Sequence, residues 1–138
     1  MVVLYARSLI QHGLGEVRFP ALRVRLWPGK FREPDLVFMA ATHKERIFKK
    51  FWGVPDLAVE LISDDDPDRD RVRKKSEYAL AGISEYWIVD PAGKTVEVYL
   101  LPIEAEEYEL HKTLGGNDAL TSAQLPGFSL SLADLFAN

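Results

Sequence analysis

The spacing of hydrophobic and polar positions changes several times along this chain, and each change predicts an element. Residues 1–12 set Val3, Leu4, Leu9 and Ile10 among Tyr5 and Arg7, the pattern of an amphipathic helix that Gly13 stops. The stretch GEVRFPALRVRLWPGK alternates around Val17, Phe19, Leu22, Val24 and Leu26, which predicts one half-exposed hairpin strand ending at a Pro28-Gly29 turn. PDLVFMA follows as a short, nearly continuous apolar strand. Residues 42–52 are basic and aromatic without a clean period, and they read as a loop or a short helix.

VPDLAVELIS is a second apolar strand, and its unbroken character predicts burial on both faces of a sheet. The acids behind it have a structural use: Asp66 suits a helix cap, Pro67 the first helical position, and Asp68 and Asp70 the positive end of the helix dipole. That helix runs to about Ala81 and stops at Gly82. SEYWIVD and KTVEVYLL are strands joined by a Pro91-Ala92-Gly93 turn, EYELHKTL is a further strand, and SLADLFA is a short terminal helix capped by Ser131. The order predicts a single α/β domain over residues 1–138, with a central mixed β-sheet flanked by helices.

Composition narrows the function classes. A chain of 138 residues that is 47% hydrophobic is long enough for one real core. It has no cysteine, so neither disulfides nor thiolate metal sites arise. No apolar run approaches the roughly 20 residues that span a bilayer, and MVVLYARSLIQHG carries Arg7 and lacks the layout of a signal peptide. A soluble cytoplasmic protein without a membrane partner is expected. The net charge of -4 is unevenly spread, because Lys94 and Lys112 are the only Lys or Arg after Gly82. A wholly basic nucleic-acid binder is excluded. A locally basic face remains open, drawn from Arg23, Arg25, Lys30, Arg32, Lys44, Arg46, Lys49 and Lys50 with Arg71, Arg73, Lys74 and Lys75, and so does an ordinary solvated surface.

Two apolar strands each carry an acid that their neighbours do not explain, Asp35 before LVFM and Glu60 inside LAVELIS. A buried carboxylate without a partner costs several kcal/mol, so it needs a counter-charge, a raised pKa or a metal. The strand period puts Asp56, Ala58, Glu60 and Ile62 on one face, opposite Leu57, Val59 and Leu61. Asp70, Lys74 and Tyr78 recur at intervals of four and share one face of the following helix. With Lys74 reaching back toward the end of the strand, two acids and a lysine would converge, a set sufficient for phosphodiester hydrolysis: hard oxygens for Mg²⁺ and a cation for developing charge. The plainer readings stay open. Asp35 follows Pro34 as a turn acid would, Glu60 suits a salt bridge to an arginine or to Lys74, and Asp56 reads as structural. Asp70 suits the helix dipole, and Tyr78, Tyr86 and Trp87 suit core or interface packing. His12, His43 and His111 lack metal-ligand spacing, and Ser63 has no histidine base nearby.

REPDLVFM, PDLAVELIS and DRVRKKSEYALAGISEYWIVDPAGKTVEVY together resemble the Uma2 family, formerly DUF820, placed among the PD-(D/E)XK nucleases with the restriction-endonuclease-like fold. The resemblance runs from about residue 14 to the LPGFSLSLADLF tail, and its most specific part is the order Glu60, Ser63, Asp70, Lys74, Tyr78, Gly82 and EYWIVDP. It implies a DNA endonuclease using Mg²⁺ or Mn²⁺, with Asp35, Glu60 and the backbone carbonyl of Leu61 as metal ligands. Lys74 would replace the lysine that the parent pattern places two residues after the acid, where this chain has Ile62; Asp70 and Tyr78 would stand behind it. Family members usually begin with a further stretch containing an ELIDGE-like segment, so the resemblance also implies that this chain lacks the usual N-terminal segment. A symmetric homodimer, formed through the edge of TVEVYLL, would suit cutting of two strands. The competing expectation is a catalytically silent nucleic-acid-binding or regulatory domain that keeps the nuclease fold.

Overall fold

A computed structural model describes residues 13–20, 22–63, 65 and 67–137. The helix expected over residues 1–12 and the cap expected at Asp66 lie outside the described residues. The central sheet has six strands in the order β1-β4-β5-β6-β7-β8: β1 (Gly15–Arg18), β4 (Leu36–Ala40), β5 (Leu57–Leu61), β6 (Glu85–Asp90), β7 (Thr95–Leu100) and β8 (Glu109–Leu114). Strands β5 and β6 are parallel, and the other neighbours in this sheet are antiparallel. The sheet is therefore mixed. A parallel pair needs a crossover, and helix α1 (Asp68–Ala81) supplies it.

The unbroken apolar runs are buried on both faces. Leu36, Phe38, Leu57, Val59, Trp87 and Val89 point to one side, where Leu120, Leu125, Leu130, Leu132 and Leu135 of the C-terminal segment cover them. That segment contains β9 (Ala119–Leu120), β10 (Leu130–Ser131) and the single turn α2 (Leu132–Leu135), with the Ser131 hydroxyl accepting from the Asp134 amide. Val37, Met39, Ala58 and Tyr86 point to the other side, into a second core with Val24, Leu26, Tyr78 and Ile83. There α1 packs beside a hairpin of β2 (Val24–Trp27) and β3 (Lys30–Arg32). Gly82 ends α1 in the left-handed region at φ 94°, and its amide bonds back to the helix carbonyls.

Three expectations need correction. The single strand expected across GEVRFPALRVRLW is two: β1 joins the central sheet against β4, while β2 turns away to pair with β3. Pro20 interrupts the alternation, and the two halves bury their apolar residues in different cores. Pro67 takes the cap position, with extended backbone, and the helix begins at Asp68. β7 is hydrogen-bonded on both sides, so TVEVYLL is no sheet edge; β8 is, with Glu109 to Thr113 exposed along it. The basic stretch after β4 forms a short 3-10 helix, Ala41–Arg46.

Close backbone contact at β1 makes Gly15 a sensitive position. A Cβ there would meet the Met39 carbonyl oxygen at 2.1 Å and the Phe38 ring at 2.9 Å. Gly15→Ala is expected to lower stability by about 1–3 kcal/mol, the range for overpacking a filled site, measured by urea denaturation with an unchanged m-value.

Candidate active site

The pairing of β4 with β5 sets the two unexplained acids side by side. Leu36 faces Val59, and the next pair along is Asp35 and Glu60, where β4 gives way to a bend at Asp35 after Pro34. Their carboxylates complete the pairing. The Asp35 amide donates to Glu60 Oε1 at 3.0 Å, and the Leu61 amide donates to Asp35 Oδ2 at 2.8 Å. Each acid thus fixes the other's strand, and both are held by backbone donors that cannot swing away.

Helix α1 brings the cation. Lys74 Nζ lies 3.1 Å from Glu60 Oε2 and 3.5 Å from Asp70 Oδ2, one helical turn away. Burial raises the Glu60 pKa above the ordinary carboxylate range, helped by neighbouring Asp35 and opposed by Lys74. Burial works against the Lys74 ammonium, but Glu60 and Asp70 outweigh it and hold its pKa above the usual lysine value. Glu60 is the more deeply buried partner, with 8% of its side chain exposed against 28% for Lys74. Desolvation therefore dominates at the acid and the ion pair dominates at the lysine.

These groups open onto a cleft of about 240 Å³, lined by Glu33, Asp35, Glu60, Leu61, Ile62, Ser63, Arg71, Lys74 and Tyr86. Asp35, Glu60, Leu61 and Lys74 are brought together there, with Asp70 against Lys74. Tyr78 is fully buried beneath, edge-on to Tyr86 with ring centroids 5.3 Å apart, and is part of the core. Burial, reinforced by nearby Glu60, pushes both phenols far up, so they stay protonated as donors. Asp56 lies outside the cleft: it accepts from the Ala40 amide at 2.8 Å and sits 2.7 Å from His43 Nδ1, tying the 3-10 helix to the sheet. His43, incidental by spacing, is thus the partner of a buried acid.

Glu33, Arg71 and Tyr86 line the cleft without having been singled out for it by spacing. Glu33 stands two residues before Asp35, the strand period, but Pro34 between them obscures it. Arg71 stands three before Lys74 on the same helix face. Tyr86 pairs with Ala58 across the parallel ladder, next to Glu60 on the face toward α1, a placement set by strand order alone.

Among the described residues no three side chains of His, Asp or Glu converge as a ready metal cage. The donor chemistry nevertheless suits a hard divalent cation: two carboxylates, with Leu61 also lining the cleft, offer oxygen donors, and Mg²⁺ takes few protein ligands, keeping waters and substrate phosphates for the rest.

The mixed sheet with its crossover helix is a restriction-endonuclease-like fold. A crystal structure from Anabaena variabilis ATCC 29413, described as a "putative nuclease belonging to DUF820", is similar over 98% of this chain and 75% of that one, with a TM-score of 0.77 at 20% identity. The chain belongs to the Uma2 family, described as "Putative restriction endonuclease", which matches residues 3–133. No curated protein matches it. Among the described residues no helix is long and apolar enough to cross a membrane.

Proposed function

We propose that this chain is a metal-dependent endonuclease that hydrolyses phosphodiester bonds in DNA, with Asp35, Glu60 and Lys74 as its working groups. The observation that carries the reading is their meeting in one cleft from two strands and a helix, with Lys74 3.1 Å from Glu60. Family membership supports it. Asp35 and Glu60, with the Leu61 carbonyl, would hold Mg²⁺ or Mn²⁺. When bound, such an ion neutralises phosphate charge and lowers the pKa of water for attack. Lys74 keeps its proton across neutral pH, so its ammonium is available to orient the incoming water and to offset charge that grows on the phosphoryl oxygens. Asp70 positions Lys74 from the same helix face, and Arg71 faces the cleft as a second cation for a phosphate.

Supercoiled plasmid and single-stranded DNA incubated with Mg²⁺ or Mn²⁺ test this reading, with EDTA as control. Cutting that EDTA abolishes is the expected result. A folded protein that binds DNA and never cuts it would replace this proposal with the silent binding domain. Lys74→Met is expected to reduce the cleavage rate roughly 100- to 1,000-fold, the scale for removing one charge-stabilising donor. It also removes the cation that lowers the Glu60 pKa, so the residual activity is expected to need higher pH, read from a pH-rate profile. One cleft cuts one strand. A symmetric homodimer would supply a second, and sedimentation velocity reads that state directly.

A further inference from the structure

Outside both cores lies a cluster of three phenylalanines, Phe31 on β3 with Phe48 and Phe51 on the turn that follows the 3-10 helix. Phe31 meets Phe51 edge-on at 5.6 Å between centroids, and Phe51 lies 5.0 Å from Phe48, which is 45% exposed. Guanidinium groups cover part of the cluster: Arg23 sits 4.1 Å from the Phe31 centroid and Arg25 5.1 Å from that of Phe51. The turn is pinned, because the Phe48 amide donates to the Phe51 carbonyl, and Trp52 exchanges backbone hydrogen bonds with Arg23 and Arg25. Lys49 and Lys50 are exposed at its tip.

A rigid aromatic surface set among cations matches the two halves of a nucleotide, a π-face and a phosphate. The surface also leads to the cleft. A depression of about 350 Å³ lined by Arg23, Phe31, Arg32 and Glu33 shares Glu33 with the cleft that holds Asp35 and Glu60. Resting on the nuclease reading above, we propose that this face binds an unpaired DNA strand, with a base stacked on Phe48 and phosphates on Arg23, Arg25 and the Lys49-Lys50 tip, and guides that strand toward Asp35 and Glu60. Duplex DNA keeps its bases stacked inside the helix and offers this surface phosphates alone.

The experiment is fluorescence anisotropy with labelled oligothymidylate of about 12 nucleotides, within the usual single-strand site size. An abasic strand, oligouridylate and a duplex of the same length are run beside it. Binding is read on the Glu60→Gln protein in EDTA, so that no strand is cut and a failure of catalysis leaves the result intact. Oligothymidylate is expected to bind more tightly than duplex. Phe48→Ala and Phe48→Leu are expected to weaken it roughly 5- to 100-fold while leaving the abasic strand unchanged, and Phe48→Trp to restore it. Arg23→Ala is expected to reduce the salt dependence by about 0.7 in log-log slope, one phosphate contact on a single strand. Equal binding of duplex, or Phe48 variants that bind like the parent, would overturn the proposal even if the wild type cuts DNA. Tighter binding of oligouridylate would overturn the assignment to DNA.

Discussion

Glu60→Gln is expected to lower DNA cleavage by about 1,000-fold or more while leaving the fold intact. The amide keeps the shape and can still accept the Asp35 amide through its oxygen, so the joint between β4 and β5 survives. What disappears is one of the two negative charges that would hold a divalent ion, and with it the attraction that draws Lys74 into the cleft. Stability supplies an independent check. Burial raises the Glu60 pKa, so between the ordinary carboxylate value and the raised one the folded protein binds more protons than the unfolded chain. Stability contributed by this group is present at acid pH and falls as pH rises through that window. The variant lacks the titration. Comparing the two proteins by thermal unfolding across that window should show a difference that grows toward neutral pH in favour of Glu60→Gln, alongside the loss of cutting. Retained cutting would remove Glu60 from the site.

The largest effect on stability is expected at a different acid, on the opposite face of the sheet. Glu85 is completely buried and accepts from the Trp87 indole at 2.6 Å and from the Ser122 hydroxyl at 2.8 Å, and the Ser122 oxygen in turn accepts from the Gln124 amide at 3.1 Å. Burial raises its pKa against the pull of these donors. The carboxylate is the peg on which the C-terminal segment hangs. Glu85→Ala would leave the donors buried without an acceptor and is expected to cost about 3–5 kcal/mol, the scale for breaking a buried charged network. In a domain of this size that is a drop in Tm of roughly 10–20 °C by calorimetry. Glu85→Gln retains one oxygen and is expected to fall in between. A Glu85→Ala protein as stable as its parent would show that the segment is held by its leucines alone.

Asp35, Glu60 and Lys74 could be found in the sequence because each breaks a local pattern: a charge in an apolar strand, or a recurrence every four residues in a helix. The strands β4 to β8 and the stop at Gly82 were legible for the same reason, and the short strands β3, β9 and β10 were not. Glu85 was not. It opens SEYWIVD at a place where strands commonly start with a polar residue, and its burial depends on a segment far along the chain that folds across it. Sheet order was hidden likewise. Nothing in TVEVYLL says that β8 lies outside it, and nothing in GEVRFPALRVRLW says that its halves serve different cores. Local periodicity shows which side chains share a face. It does not show what covers that face, and so Glu33, Arg71 and Tyr86 entered the cleft unannounced.

The parallel joint between β5 and β6 also makes the cation of the cleft depend on a different pairing from its acids. β4 and β5 meet through an antiparallel pairing, and it alone brings Asp35 and Glu60 together. Lys74 belongs to the crossover, which closes only when β6 docks beside β5. The acids are thus set by the sheet, and the lysine by a connection that two strands must hold. Loosening the β5–β6 joint would therefore displace the cation and leave the two acids paired.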